Sequence, residues 1–209
     1  MEQSGTPSTR DKILEAARFV FIERGREGAR MQEIADRAGV NKAMLFYYFS
    51  SKDQLYREVL DSIFRPLFEA VNSIVISEIE PHLKIEQIIN TYTNFLSQNE
   101  GFPRIMAREM ASGGVYVASI LKNIFGGLKI SLPMNVFTMI DDSVKKGQFR
   151  KVDPIQTFLS IIGMCLVYFL MKPILVNIDE FKIIDSNDFL VMRQQSIIDL
   201  LENGLLNKQ

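Results

Sequence analysis

The sequence predicts an all-α protein with an N-terminal three-helix helix-turn-helix domain and a larger helical C-terminal domain. Apolar residues recur three and four positions apart through most of the 209 residues, and we find no convincing strand alternation and no internal repeat. Glycine and proline divide the periodic segments where helices are expected to end and begin. A chain of this length can bury one large or two small cores.

The composition is ordinary for a soluble globular protein, with 47% apolar and 23% charged residues and a net charge of -1. Cys165 is the only cysteine, which excludes an internal disulfide and suits a reducing compartment. The polar N-terminus lacks the apolar core of a signal peptide, so we expect a cytoplasmic protein. His82 is the only histidine and no glycine-rich phosphate loop is present, so we expect no enzyme, cofactor or metal site.

The first helix is predicted over residues 9–24, after an arm at residues 1–8 that we expect to be disordered. Gly25 follows the helix as a stop signal. The apolar face of this helix consists of Ile13, Ala16, Ala17, Val20 and Phe21.

The stretch from Arg30 to Lys52 predicts two short helices joined by a tight turn, with the motif at about residues 31–50. Gly39 can take the left-handed conformation that ends a helix, and the Asn41 side chain can cap the next one. This arrangement is a helix-turn-helix, which places its second helix in the major groove of DNA. No acidic residue lies between Asp36 and Asp53, as expected of a surface close to phosphates.

A fourth helix is predicted to begin near Lys52, capped by Ser50 or Ser51, and to kink or break at Pro66. We place the domain boundary there, which gives a helix-turn-helix domain at residues 9–65 and a second domain at 66–209. The further predicted helices span residues 82–99, 102–111, parts of 115–144, 154–171 and 188–204.

The segment from Phe158 to Met171 contains no charge and is apolar on nearly every side. It is too short for a membrane span of about 20 residues, so we expect no membrane association. A helix that is apolar all round is buried, and a second subunit can cover one side of it. The sequence therefore predicts a homodimer interface with the final helix, formed by Phe158, Ile162, Cys165, Phe169, Phe189, Ile197 and Leu201.

The second domain is rich in aromatic and methionine side chains, which suit either a core or an adaptable apolar pocket. Both alternatives remain open from the residues alone. The candidates for a ligand pocket are Tyr92, Phe95, Met106, Met110, Tyr116 and Phe137. Arg104, Arg108 and Glu109 are expected to be exposed to solvent, with polar anchors of the pocket as the alternative.

The N-terminal third resembles the DNA-binding domain of the TetR family, the tetracycline-repressor-type regulators. The residues that carry this resemblance are Ile13 to Ala17, Phe21, Gly25, Ile34-Ala35, Ala38 to Val40, Leu45 to Phe49, Ser51-Lys52 and Leu55. The resemblance implies a cytoplasmic homodimer that binds a palindromic operator in double-stranded DNA. It also implies a repressor that leaves the operator when a small effector, which we expect to be apolar, binds the C-terminal domain.

The resemblance also implies which side chains contact DNA. They are Arg30, Gln32, Lys42, Ala43, Met44, Tyr47, Tyr48 and Lys52. Lys42 is the main expected base reader, since lysine donates to guanine O6 and N7, whereas Tyr48 and Lys52 are expected to hold phosphates. Arg30 stands where the family usually has a capping Thr or Ser, so we expect the second helix to lack its cap and Arg30 to contact phosphate by charge.

Two alternatives remain at this level. One is an activator, or a regulator that requires a corepressor, on the same fold. The other is a helical small-molecule or lipid-binding module whose helix-turn-helix no longer binds DNA, for which the missing cap is the only support.

Overall fold

The computed structural model describes residues 8–127 and 132–206, and within these ranges the chain forms helices and no β-strand. The predicted all-α class is confirmed. The helices are α1 (Thr9–Gly28), α2 (Met31–Ala38), α3 (Lys42–Tyr48), α4 (Lys52–Ile76), α5 (Pro81–Gln98), α6 (Gly101–Ala111), α7 (Val115–Gly127), α8 (Leu132–Lys145), α9 (Pro154–Leu175), a 3-10 helix (Asp179–Asp185) and α10 (Asn187–Leu205).

Helix α1 begins with a capping box. The Ser8 hydroxyl oxygen accepts from the Asp11 backbone N–H at 3.2 Å, and the Asp11 carboxylate accepts from the Ser8 N–H at 3.2 Å. Ser8 therefore belongs to the helix rather than to the predicted disordered arm, of which residues 1–7 lie outside the described ranges. Gly25 has a φ of 67° and interrupts α1 where a stop was predicted, but the helix resumes and continues to Gly28.

The helix-turn-helix forms at the predicted residues. Gly39 takes the left-handed conformation with a φ of 68°, and the Val40 N–H donates to the Ala35 carbonyl at 3.0 Å. The Asn41 side chain then accepts from the Met44 N–H at 2.7 Å and caps α3. Two local interactions thus set the direction in which α3 leaves α2.

Helix α4 begins at Lys52, where the Gln54 N–H donates to the Ser51 hydroxyl at 3.1 Å. It does not break at Pro66, because the helix continues through this residue to Ile76. The predicted break is therefore wrong, since packing of an apolar face can outweigh the loss of one backbone hydrogen bond at a proline.

The chain divides into two compact units by its internal packing. The first unit contains the chain up to Arg65 together with Arg104–Asn123, and the second contains Pro66–Pro103 and Ile124–Gln209. The division at Arg65 falls where the sequence suggested it. Residues 104–123, however, pack with the helix-turn-helix and not within the second domain to which the prediction assigned them.

The first unit has a closely packed apolar core in which α1, α2, α3 and the start of α4 take part. Its fully buried side chains include Ile13, Ala17, Phe21, Ile34, Ala35, Leu45, Phe49, Leu55, Val59 and Leu60. In the second unit, α5, α8, α9 and α10 pack against one another. Its most buried side chains include Ile89, Leu96, Ile124, Ile140, Cys165 and Ile197.

The residues predicted for the dimer interface lie on the inward side of α9 and α10. Cys165, Ile197 and Leu201 are buried within the chain itself. Phe158 packs edge-on against Phe137 at 5.6 Å. Phe169 and Phe189 pack against Tyr168, at 4.8 and 5.7 Å between ring centroids. Ile162 is half-buried. Packing within the chain therefore already buries three of these seven residues, and the predicted dimer interface stays a prediction.

The exposed side of α9 is also apolar. Ile155, Leu159, Val167 and Met171 are exposed and follow one another four or eight positions apart, with Gly163 at the position between. The helix is longer than predicted, and its 22 residues are by length and composition enough to cross a membrane, so the expectation of too short a segment is wrong. Only 17% of its most apolar window is buried within the chain. An exposed apolar face of this kind marks an interaction surface.

We expect the left-handed turn at Gly39 to make alanine costly there. Gly39→Ala should lower the free energy of unfolding by about 1–2 kcal/mol, because a Cβ disfavours this conformation although nothing lies within 4 Å of it. Gly204→Ala is the matched control, because Gly204 lies in α10 with equally open space and no positive φ. It should stabilise the protein by about 0.4–1 kcal/mol in urea unfolding. Equal effects of the two changes would contradict the assigned turn.

Candidate nucleic-acid interface

Helix α3 has one inward and one outward side. Leu45 and Phe49 are fully buried and fix the helix to the core of the first unit. The remaining side chains, Lys42, Ala43, Met44, Phe46, Tyr47 and Tyr48, are all exposed. Tyr47 is the most prominent of them, with 84% of its surface accessible. The side chains predicted to read bases thus share one exposed surface of a short, well-anchored helix.

The aromatic rings of α3 contact one another and the Lys42 side chain. The Tyr47 and Tyr48 rings meet edge to face at 5.4 Å, and the Lys42 ammonium lies 6.0 Å from the centre of the Phe46 ring. Phe46 is 42% exposed. Its ring supports the lysine that the sequence marks as the main base reader.

The two acidic residues that flank the acid-free segment are both engaged. Asp36 accepts a hydrogen bond from the Gln32 amide at 2.8 Å. Asp53 pairs with Arg26, with 2.5 Å between Nη2 and Oδ1, and this hydrogen bond lowers the pKa of the Asp53 carboxyl. Since Arg26 balances the Asp53 charge, the start of α4 opposes an approaching phosphate less than its sequence suggests.

Arg30 and Lys52 have structural roles beside the ones predicted from the sequence. Arg30 occupies the N-cap of α2 without a side-chain cap bond, so the expected loss of the cap is confirmed. A guanidinium has no acceptor atom and cannot replace it. The Lys52 ammonium donates to the carbonyls of Glu27 (3.3 Å) and Ala29 (3.1 Å), which leaves one of its three N–H groups for a phosphate.

The family model described as "Bacterial regulatory proteins, tetR family" matches residues 13–59, which include all of α2 and α3. The chain belongs to the TetR family. The HTH-type transcriptional repressor NicS of Pseudomonas putida is 27% identical over 164 residues, which cover 77% of this chain and 75% of that protein. The predicted DNA-binding regulator of the TetR family is confirmed.

Solved structures share the fold. The fatty acid degradation regulator FadR from Bacillus halodurans has a TM-score of 0.72 and 16% identity, over 95% of this chain and 96% of its own. AibR, solved in complex with isovaleryl coenzyme A and operator DNA, has a TM-score of 0.70 and 21% identity, over 92% and 97% of the two chains.

The TetR-type domain of this chain depends on a residue far along the sequence. Arg108 of α6 donates hydrogen bonds to the backbone carbonyls of Phe21, Ile22 and Glu23, at 3.2, 2.6 and 3.0 Å. The left-handed turn at Gly25 follows these carbonyls, and a Cβ at Gly25 would lie 3.3 Å from the Arg108 side chain. Glycine at this position therefore permits both the turn and the close approach of the arginine that caps it.

The residue after Arg108 carries a buried carboxyl group. Glu109 has only 4% of its surface exposed and accepts from the Tyr56 hydroxyl at 2.8 Å and from the Val117 N–H at 3.4 Å. Burial, and then the bond to Glu109, raises the pKa of Tyr56, which stays a proton donor. The Phe21 ring meets Tyr56 edge-on at 4.9 Å. This cluster joins α1, α4, α6 and α7 within the TetR-type unit.

Glu109 was expected to be exposed, and that expectation is wrong. One signal was available in the sequence, because Glu109 follows Phe102 and Ile105 at helical spacing, and both of these are buried. An acidic residue in register with an apolar face is a candidate for a buried, hydrogen-bonded group.

Three of the six predicted effector-binding residues lie in the TetR-type unit, namely Met106, Met110 and Tyr116. Tyr116 packs edge-on against Tyr56 at 5.4 Å, and its hydroxyl donates to Asp53 at 3.3 Å. The Arg26 guanidinium covers the Tyr116 ring at 4.7 Å. Met110 is 56% exposed and Met106 is half-buried. The ring and the hydroxyl of Tyr116 therefore already have partners within the TetR-type unit.

The other three predicted residues, Tyr92, Phe95 and Phe137, lie in the second unit and are half-buried. Phe95 meets Phe102 edge-on at 5.1 Å, and Phe137 contacts Phe158. Among residues 8–127 and 132–206, no three His, Cys, Asp or Glu side chains are placed to hold a metal ion.

Loss of the Tyr56 hydroxyl should destabilise the first unit. Tyr56→Phe leaves the buried Glu109 carboxyl with one partner fewer, so we expect the free energy of unfolding to fall by about 1–3 kcal/mol. Tyr48→Phe removes the same atom from an exposed ring and should change it by less than about 0.5 kcal/mol.

The same pair of variants tests the pH dependence. Because the pKa of Tyr56 is raised on folding, its stabilisation is present below the ordinary tyrosine pKa of about 10 and is lost as the pH rises further. Tyr56→Phe should lessen this alkaline loss of stability, measured by urea unfolding between pH 8 and about 11. Equal stability and equal pH profiles of the two variants would refute the role of the Glu109 bond.

Proposed function

We propose that this protein is a dimeric repressor that binds a palindromic operator through α3 and is released by a small apolar effector held in the second unit. The exposed surface of α3 carries the proposal. It presents Lys42, Met44 and Tyr47 together on a helix with a capped start and no exposed, unpaired acid nearby. Such a regulator acts on chromosomal DNA, so we also propose a cytoplasmic location.

The proposed division of roles follows side-chain chemistry. The Lys42 ammonium donates to guanine O6 and N7, while Ala43 and the Met44 thioether offer apolar contact to thymine methyl groups. Tyr47 is the most exposed of these residues. Tyr48, Arg30 and the remaining N–H of Lys52 contact phosphates, and Gln32 approaches the backbone from α2.

Dimerisation is proposed through the exposed face of α9. Ile155, Leu159, Gly163, Val167 and Met171 form a ridge of residues four positions apart, which is the geometry that packs into the grooves of a second helix. Helix α10 adds Met192 and Leu200, also exposed and in line with each other around Ser196. An isologous contact of these faces in two copies covers the apolar surface that one chain leaves open.

The effector is proposed to bind among the aromatic side chains of the second unit, namely Tyr92, Phe95 and Phe137. The AibR structure contains isovaleryl coenzyme A, and FadR is described as a regulator of fatty acid degradation. Both relatives agree with an apolar acyl group as the class of effector. Met106, Met110 and Tyr116 are left out because they lie in the first unit.

Release is proposed as a population shift. Three helices, α4, α6 and α7, run without interruption from residues of one unit to residues of the other. An effector that favours one arrangement of the second unit can thereby favour one spacing of the two reading helices, which must match about 34 Å for one turn of DNA. An effector with equal affinity for both arrangements would leave DNA binding unchanged.

Lys42→Ala tests the main base reader. We expect a loss of about ten- to a hundredfold in affinity for the protein's own promoter region and a weaker preference over unrelated DNA, measured by fluorescence anisotropy across a salt series. Lys122→Ala is the control, because it removes the same charge from an exposed position of α7. Unchanged sequence preference in Lys42→Ala would refute the assignment of this residue, and the absence of saturable DNA binding by the wild type would refute the regulator.

Leu159→Glu tests the dimer face. At a twofold interface the change places like charges close together, and we expect dimerisation to weaken by more than about a hundredfold. Gln98→Glu adds the same charge to an exposed position of α5 and should leave the dimer intact. Sedimentation velocity at micromolar concentration gives the answer, and a wild-type monomer or a dimeric Leu159→Glu variant would exclude this interface.

A further inference from the structure

Arg193 lies on the inner side of α10 and carries a buried donor without a partner. Its Nη2 donates to the Met164 carbonyl of α9 at 2.8 Å, which holds the guanidinium in place. Its Nε is the one buried side-chain nitrogen or oxygen without a hydrogen-bond partner among the residues that the structure describes. No carboxylate of the described ranges forms an ion pair with this guanidinium.

An arginine with an unpaired buried N–H lowers the stability of the folded protein. A buried N–H without an acceptor loses its hydration and gains nothing in return, and a half-buried cation without an anion adds to that penalty. Protein cores rarely retain such groups, and those that occur call for a specific partner. A ligand that brings an oxygen acceptor and negative charge would satisfy both deficits at once.

Two further hydrogen-bond donors of the second unit, the Tyr92 hydroxyl and the Cys165 thiol, lie on helices that pack against α10. Tyr92 precedes Thr93, whose hydroxyl accepts from the Gln194 amide at 2.7 Å, so α5 and α10 are joined beside Arg193. Cys165 follows Met164, the residue that accepts from Arg193, and only 1% of its surface is exposed. Arg193, Tyr92 and Cys165 thus lie on α10, α5 and α9, which pack together here, and the Cys165 thiol is close to both other groups.

Tyr92 and Cys165 both carry their protons and can therefore donate hydrogen bonds. Burial, and then the proximity of Cys165, raises the pKa of Tyr92, and burial raises the pKa of the Cys165 thiol to about 12. Both groups stay neutral and protonated at physiological pH. Tyr92 also keeps part of its surface accessible.

We propose that Arg193 and Tyr92 together bind the oxygen end of an acyl effector, with its hydrocarbon chain among the apolar side chains of the second unit. The inference rests on the proposed effector site and specifies its polar end. The donors Nε–H and O–H suit either the carboxylate of a fatty acid or the carbonyl of an acyl thioester. A basic or purely hydrocarbon ligand would leave Arg193 uncompensated.

Calorimetric titration of the full-length protein without DNA tests this inference. The probes are decanoate, decanoyl coenzyme A and 1-decanol, which share a chain length and differ at the polar end. We expect the wild type to bind one of the first two and to bind decanol at least about tenfold more weakly, since decanol has neither a carboxylate nor a carbonyl oxygen to accept from the arginine. Tighter binding of decanoate identifies a free carboxylate as the recognised group, and tighter binding of decanoyl coenzyme A identifies the thioester.

The variants separate recognition from folding. Arg193→Gln should weaken the preferred probe by about ten- to a hundredfold, and Tyr92→Phe by about three- to tenfold. Arg193→Lys keeps the charge without the Nε–H and should fall between the wild type and Arg193→Gln. Arg150→Gln is the matched control, because Arg150 also donates to a backbone carbonyl, that of Gly204, but from an Nε that already has this partner and at the surface.

Three outcomes would overturn the inference. The first is equal affinity of the wild type for decanol and for the two acyl probes. The second is that neither Arg193→Gln nor Tyr92→Phe changes the affinity for the preferred probe. The third is that the wild type binds its operator but none of the probes. The last result leaves the proposed repressor function standing. A wild type that binds acyl probes but no DNA refutes that function instead and supports the acyl site.

Discussion

The buried bond between Tyr56 and Glu109 is the interaction on which the first unit depends. A carboxyl group inside a protein is tolerated only when donors surround it, and here the donors come from α4 and α7 while the carboxyl comes from α6. The geometry therefore fixes three helices relative to one another with little freedom. The Phe21 ring against Tyr56 extends the constraint to α1, the helix that supports the helix-turn-helix.

Several cations of the first unit bond to backbone carbonyls or to a carboxylate of the same unit. Arg108 caps the first part of α1, Lys52 caps its last turn, and Arg26 pairs with Asp53. These contacts leave the exposed surface of α3 with Lys42 as its cation, so the positive field there is local and modest. The net charge of -1 and the single lysine of α3 give the chain little long-range attraction for phosphate.

The helix-turn-helix could be predicted from sequence because its signals are local. Gly39, Asn41 and Ser51 act on their own neighbours, and the buried Leu45 and Phe49 follow helical spacing. The side-chain bond of Glu109 and the contacts of Arg108 and Tyr116 could not be predicted, because Tyr56, Phe21 and Asp53 lie more than 50 residues away from them. The sequence could not distinguish the buried from the exposed side of α9 for a related reason. A helix apolar on all sides acquires an inner side only from the helices that pack on it.

The capping of α1 by Arg108 has a consequence for the exchange of domains between regulators. A chimaera that joins residues 9–65 to a foreign effector domain would separate Gly25 and its preceding carbonyls from the arginine that caps them, and Tyr56 from Glu109. The portable DNA-binding module of this protein is discontinuous in sequence. To remain intact after transplantation it would have to carry residues 104–123 along with the helix-turn-helix.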